Sequence, residues 1–331
     1  MKEALTSEAM IRQLGFKALD VMKKYDVTIL TDARYLKANE ESIYVSNVIY
    51  EDELVIQALE DKGLTVTRKA WDDPNFDWTE TQFAVFRATW DYFDRYDEFS
   101  RWFDQTKERT QFINSAELIH WNIDKHYLVE LENNDVRIPK TVVIEPETKL
   151  SLQQHLTKAL QDGRFKTQDF VLKPCIAGGA RHTYKFNLTE TAGLENVFQK
   201  LIEAEAMMLQ EFQKNIMAEG EYSLMLFNGS YSHAVLKVAK PGDFRVQDDF
   251  GGTVEVIEPT KEMVAFAEKV VNASPELPVY ARVDIFKDND DEWALAELEI
   301  FEPELWFRLR PEAANQLADT IQKMIGDEKV S

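Results

Sequence analysis

Apolar positions fall into short runs whose spacing switches between the strand period of two and the helix period of about 3.6. Val27-Thr28-Ile29-Leu30-Thr31 reads as a short buried strand, residues 51–62 as a helix closed by Gly63, and residues 64–67 as a second strand. Phe83-Ala84-Val85-Phe86-Arg87 predicts a third strand, followed by an aromatic, acidic helix over residues 92–105. Ahead of this unit, Ile11, Leu14, Leu19 and Met22 recur near helical spacing and predict an amphipathic helix within the first 25 residues. Strands alternating with helices imply a small parallel α/β sheet, expected to end near Asn114.

A helix is expected to start at Ile123-Asp124-Lys125-His126-Tyr127-Leu128, followed by a strand at Thr141–Ile144 and a helix over residues 150–161. Asp169–Pro174 reads as a strand with a proline stop, Gly178-Gly179 as a turn, and residues 194–205 as a helix. From Met207 onward the strands lengthen: residues 207–212, 222–227, Ser230–Val238, 279–286 and 294–300 predict largely antiparallel sheet. The fold class is therefore α/β, passing to α+β in the C-terminal half, with domains expected at 1–120, 121–212 and 213–331. A chain of 331 residues suits two or three lobes with a cleft between them.

Composition narrows the function classes. Hydrophobic residues make up 44% and charged residues 29%, which is ordinary for globular protein. The 38 basic and 59 acidic residues give a net charge of −21, which argues against a general nucleic-acid or anionic-membrane binder; a phosphate site must be a local basic island. The opening MKEALTSEAMIRQL lacks the apolar stretch and cleavage site of a secretory leader, and one cysteine, Cys175, makes no intrachain disulfide, so a reducing, cytoplasmic setting is expected. Apolar runs fall short of the roughly 20 residues that cross a bilayer.

Candidate chemistry lies at four places. Lys173 at a strand end, with Gly178 and Gly179 just beyond, puts a cation beside a loop whose amides can approach anionic oxygens, without Walker spacing. Gln210, Glu211 and Phe212, then Glu221, resemble a hinge strand feeding an acid toward a pocket, although the element alone reads more readily as an edge strand with a solvated acid. Glu297 and Glu299, two apart on a strand, share a face, and an antiparallel neighbour carrying Asp284 can join them. Three such carboxylates repel unless a cation is present, and hard oxygen ligands suit magnesium shared with nucleotide phosphates; a solvated strand face is the bland alternative. Arg245, in a glycine-bracketed loop, is a candidate for neutralising a phosphoryl group or an oxyanion. Cys175 and His182, seven residues apart, do not establish the orientation a thiol pair needs, and His120, His126, His155 and His233 show no zinc-ligand spacing.

In this order the elements resemble the ATP-grasp superfamily, particularly glutathione synthetase-like and ribosomal-S6-modification-like ligases. Arg87-Ala88-Thr89-Trp90-Asp91-Tyr92, Gly242-Asp243-Phe244-Arg245-Val246-Gln247 with Phe250-Gly251-Gly252, and Glu297-Leu298-Glu299 with Glu302-Pro303-Glu304-Leu305 are similar to the group containing the cycloserine-biosynthesis enzyme. The resemblance implies an N-terminal pre-ATP-grasp domain and two lobes clasping ATP. It implies that Lys125 and Lys173 hold phosphates, and that Gln210, Glu211 and Phe212 line the adenine slot with Glu221 toward the ribose. The loop at Gly178 and Gly179 would cover the triphosphate, Asp284, Glu297 and Glu299 would hold one or two Mg²⁺ ions (Mn²⁺ as an alternative), and Arg245 and Arg282 would flank the reacting centre. Glu299 is followed by Ile300-Phe301-Glu302-Pro303 instead of the threonine-serine-proline turn of glutathione synthetase, which argues against glutathione as product.

The implied reaction activates a carboxylate as an acyl phosphate and passes it to an amine, with small-molecule substrates, no nucleic acid and no membrane partner. Alternatives are an intramolecular cyclising ligase and a non-catalytic ATP-binding regulatory protein. Arg87, Asp91, Arg308 and Arg310 are candidates for substrate contact, and symmetry favours a homodimer.

Overall fold

The structure, a computed structural model, describes residues 23–37, 42–240 and 252–328. The amphipathic helix expected in the first 25 residues and the loop carrying Arg245 lie outside the described residues.

The N-terminal unit is a four-stranded parallel sheet in the order β2-β1-β3-β4, from β1 (Tyr25–Thr31), β2 (Val66–Ala70), β3 (Thr81–Phe86) and β4 (Gln111–Ile113). Its helix begins at Ile43, not near 51, because Ser42 caps it by accepting from the Val45 N–H. The two sheet faces are buried differently. Val27, Ile29 and Val85 pack with Val55 and Leu59 of that helix and Leu317 and Ile321 of the C-terminal helix Ala313–Glu328. Leu30, Ala84 and Phe86 pack on an aromatic layer of Trp71, Tyr92, Phe99, Phe103 and Phe301. The aromatic run read from the sequence therefore serves chiefly as core.

Next comes a four-stranded antiparallel sheet in the order β5-β8-β6-β7, built from β5 (Thr141–Ile144), β6 (Asp169–Pro174), β7 (Tyr184–Asn187) and β8 (Met207–Glu211). Helices Leu152–Gln161 and Thr191–Ile202 cover one face, where Leu156 and Phe198 meet Phe170, Leu172 and Leu209. Alternation along β6 buries Phe170, Leu172 and Pro174, so Val171 and Lys173 face the other way.

The third sheet is antiparallel in the order β11-β10-β9-β12-β13, from β9 (Glu221–Phe227), β10 (Ser230–Val238), β11 (Thr253–Ile257), β12 (Tyr280–Lys287) and β13 (Trp293–Glu299). Helix Lys261–Asn272 packs Met263, Ala267 and Val270 against its inner face, with Val283, Ile285 and Leu298. The parallel N-terminal sheet and the two antiparallel sheets match the expected class. The helices Ala116–Ile123, Lys261–Asn272 and Ala313–Glu328 were not anticipated, nor were β4, β7 and β11. No helix among the described residues is long and apolar enough to cross a membrane.

Candidate active-site cleft

The non-core faces of the second and third sheets enclose a cleft of about 490 Å³, closed on its third side by the N-terminal unit. Lys125, Lys173, Gln210, Glu211, Phe212, Glu221, Arg282, Glu297 and Glu299 all line it, as do Gly178 and Gly179. Residues some 170 positions apart are thus gathered because Leu298 is buried in the core, which turns Glu297 and Glu299 outward into the cleft.

The strand bearing these carboxylates is an edge, and its outer backbone groups are met by side chains. Asn122 donates to the Leu298 carbonyl at 2.8 Å and accepts from the Ile300 N–H at 3.1 Å, while the Tyr127 hydroxyl accepts from the Leu298 N–H at 2.9 Å. Edge pairing is blocked and the carboxylate positions are fixed.

Charges in the cleft form two connected sets. Lys125 lies 2.9 Å from Glu297 and donates to the Ala177 carbonyl at 2.5 Å. Arg282 pairs with Asp284 on its own strand face at 2.9 Å and with Glu299 across the ladder at 2.5 Å, the register placing Arg282 opposite Glu299 and Asp284 opposite Glu297. Asp284 also accepts from Ser223 at 2.6 Å and pairs with Lys237 at 3.1 Å, and Lys237 pairs with Glu221 at 2.6 Å.

The carboxylates respond differently. Burial opposes charge on Asp284, but Arg282 and Lys237 outweigh it and hold its carboxyl well below the usual range. Glu297 is also lowered: Lys125 and Lys173 overcome burial. Burial pushes Glu299 well above the carboxylate range, with Glu297 and Asp284 adding to the rise against Arg282. Burial raises Glu302 as well, to about 7. Burial lowers the Lys173 ammonium, with Lys125 adding to the effect, and Lys173 makes no hydrogen bond or ion pair to the described residues. A cationic side chain without a partner and a carboxylate forced toward neutrality are the features a polyanion with its cation would relieve.

The expected residues do not all serve the cleft alike. Gln210 donates to Thr141 at 2.8 Å, and the Glu211 carboxylate turns back to accept from the Lys166 and Thr167 N–H groups, while the Glu211 N–H donates to the Lys140 carbonyl and its own carbonyl accepts from Gln213, each at 3.0 Å. Asp284 stands behind Arg282, and one ligand oxygen from each of Asp284, Glu297 and Glu299 does not come within 4.8 Å of the other two. Glu297 and Glu299 are the pair that faces the cleft.

Arg87, Asp91, Arg308 and Arg310 lie outside it. Arg87 is buried between Glu51 (3.6 Å) and Asp52 (3.4 Å) and donates to the Pro303 carbonyl at 2.9 Å. Asp91 accepts from Trp71 and Arg95, Arg308 pairs with Glu304, and Arg310 pairs with Glu312 on the surface. Of these, Arg87 and Arg308 fix the segment after β13. The N-terminal unit instead presents Arg34, Tyr35, Tyr44, Trp90 and Phe93 to the cleft. Only Asp32-Ala33-Arg34 directly after a strand end hinted at this, a position where α/β sheets bind ligands. Lys237 was also missed, although a lone lysine in the otherwise apolar Ala234-Val235-Leu236-Lys237-Val238 run was a signal.

Comparison with known families agrees with this architecture. Residues 27–114 match the N-terminal domain of D-cycloserine synthetase DcsG, and residues 125–288 match the ATP-grasp domain of prokaryotic glutathione synthetase. The cycloserine biosynthesis protein DcsG of Streptomyces lavendulae is 28% identical over 287 residues, 83% of this chain and 94% of that protein. The crystal structure of D-cycloserine synthetase DcsG superposes with a TM-score of 0.79 at 24% identity, covering 90% of this chain and 99% of that one. D-alanine–D-alanine ligase from Bacillus anthracis, complexed with ATP, gives a TM-score of 0.57 at 15% identity, covering 90% and 96%. With its pre-ATP-grasp sheet and its two antiparallel sheets facing one cleft, the chain belongs to the ATP-grasp ligases, enzymes that use ATP to form a C–N bond.

Proposed function

We propose that this protein is a magnesium-dependent carboxylate–amine ligase that activates a small carboxylic or amino acid as its acyl phosphate. The observation that carries the reading is the meeting of Lys125 and Lys173 with Glu297 and Glu299 in one cleft, two cations for phosphate beside two carboxylates for a cation. ATP would lie with its adenine along the main chain of Gln210, Glu211 and Phe212, its ribose toward Glu221, and its phosphates under Gly178 and Gly179. The burial that pushes Glu299 upward, with Glu297 and Asp284 adding to the rise, fits a divalent cation held by Glu297 and Glu299. That ion, when bound, would neutralise charge on the β- and γ-phosphates. Asp284, held by Arg282 and Lys237, would act from behind by orienting Arg282.

In this reading the substrate carboxylate attacks the γ-phosphorus and expels ADP, leaving the acyl phosphate, while Lys125 and Lys173 spread the charge of a loose transition state. An amine then attacks the acyl carbon, and the Arg282 guanidinium steadies the oxyanion before phosphate departs. Closure of the loop at Gly178 over Phe93 would exclude water, which otherwise hydrolyses an acyl phosphate. The enzyme would work in the cytoplasm on small-molecule substrates.

Intramolecular cyclisation is the second reading, favoured by the match of residues 27–114 to the DcsG N-terminal domain, since that unit supplies Arg34, Tyr35 and Trp90 to the cleft. Release of ADP and phosphate from Mg-ATP, measured with amino acids singly and in pairs beside Glu297→Ala, separates the two. Turnover only with pairs supports ligation between molecules, and turnover with one compound bearing its own nucleophile supports cyclisation. ATP binding with no release across the panel, or release unchanged in Glu297→Ala, argues against the ligase reading.

A further inference from the structure

Behind the cleft, on the far side of the segment carrying Lys125, Asp124, His126 and Cys175 each offer one ligand atom within 4.8 Å of the other two. Among the described residues this is the only trio of His, Cys, Asp or Glu groups so close. It is assembled by a backbone clamp: the Lys125 N–H donates to the Cys175 carbonyl at 3.0 Å, drawing the end of β6 against the 124–126 turn. The imidazole is oriented from both sides. Nδ1 meets Asp124 Oδ1 at 2.5 Å, and Nε2 meets Glu145 Oε1 at 2.9 Å.

Three features separate this trio from an ordinary ion pair. The Cys175 residue is 1% exposed and its thiol has no hydrogen-bond partner among the described residues, although it sits with a carboxylate and an imidazole. A carboxylate on the outer nitrogen of a histidine is the usual support for a metal-ligating imidazole, since it fixes the ring and raises its basicity. Finally, Asp124 and His126 are only half-buried, which leaves a route for an ion to reach the buried sulfur. Burial works against charge on His126, but its bonds to Asp124 and Glu145 prevail and raise it, while burial pushes the Cys175 thiol up to about 12, with Asp124 and Glu145 adding to the rise. A bound cation would replace both protons.

We propose that Asp124 Oδ1, His126 Nδ1 and Cys175 Sγ form a binding site for a thiophilic divalent cation of the zinc class, separate from the magnesium ligands of the cleft. A mixed oxygen, nitrogen and sulfur set suits tetrahedral zinc or cobalt, with water completing the shell, and disfavours magnesium. On binding, the imidazolium Nδ1 proton and the thiol proton pass to solvent, so affinity rises with pH. The ion cross-links the 124–126 turn to the end of β6. It thereby fixes the two segments that carry Lys125 and Lys173.

The test is Co²⁺ titration of the full-length protein in excess Mg²⁺, followed by absorption. With one cysteine in the chain, a thiolate-to-cobalt charge-transfer band reports on Cys175 alone. The expected result is a band saturating at one Co²⁺ per chain, bleached by Zn²⁺, absent in Cys175→Ser, and shifted to at least about tenfold weaker binding in His126→Gln. Zn²⁺ should also raise the melting temperature of the unmodified protein and not that of Cys175→Ser. Absence of the band in the unmodified protein, which needs no variant to fold, overturns the proposal, as does an unchanged Co²⁺ affinity in a folded His126→Gln.

Discussion

The ammonium of Lys125 and the carboxylate of Glu297 meet at 2.9 Å across the cleft, one from the turn after helix Ala116–Ile123 and the other from the edge strand β13. Lys125 is almost fully buried, so it is held charged by this partner: burial works against its ammonium, yet Glu297 outweighs it and raises the group. Replacing Glu297 by Gln should therefore harm two properties. Removing a charged hydrogen-bond partner of this kind costs about 1.5–3 kcal/mol, read as a lower urea midpoint, and ATP turnover should fall about 100-fold or more. A fully active Glu297→Gln would remove this pair from the reaction.

Lys173 predicts the opposite pattern. It carries a cation without a partner among the described residues and is lowered by burial. Lys173→Met should leave the melting temperature unchanged or raised, because an unpaired charge is removed, while ATP affinity measured calorimetrically drops at least about tenfold. A loss of stability without a loss of ATP affinity would make Lys173 structural.

Gly178 lies against Phe93, and a Cβ added there would sit 2.7 Å from Phe93 Cε1. Gly178→Ala should push the loop off the N-terminal unit and lower kcat/KM for ATP several-fold. The double variant with Phe93→Ala should recover much of this by removing the obstructing ring. Equal defects in the single and double variants would locate the effect elsewhere.

His233 gives a pH signature away from the cleft. Its Nε2 meets the Leu305 carbonyl at 2.7 Å, and burial lowers its pKa from 6.5 to about 4. The folded state thus disfavours the proton. This contribution to stability is present above pH 6.5 and is lost as the pH falls from 6.5 through about 4, by up to about 3 kcal/mol. His233→Gln should flatten the thermal-melting profile over that interval, and an unchanged slope would contradict the assignment.

Local pattern carried much of this molecule. The strand–helix–strand start, the antiparallel C-terminal half and the shared face of Glu297 and Glu299 follow from side-chain periodicity, which a sequence displays directly. Helix Ile43–Asp61 was truncated because its first turns are rich in β-branched and aromatic residues, with Ile43 and Tyr50 exposed, which hides the amphipathic stripe. Helix Ala116–Ile123 was missed because it buries both an apolar and a polar side: Asn122 serves the edge of β13.

Motif order and strand alternation alone determined the family resemblance, a parallel N-terminal sheet followed by antiparallel strands, and the charged residues Lys125, Lys173, Glu221, Arg282, Glu297 and Glu299 that line the cleft. Tertiary structure decided what each charge does. Arg87 and Arg308, at strand-adjacent positions that suggest ligand contact, spend their charge on Glu51, Asp52 and Glu304, while Arg34 reaches the cleft. It also turned Asp284 toward Arg282 and Lys237, and brought Cys175 to Asp124 and His126 across about 50 residues of chain. The physical reason is that periodicity fixes which face a side chain takes, whereas its ionisation and partners depend on burial and on charges that only folding brings within a few ångströms.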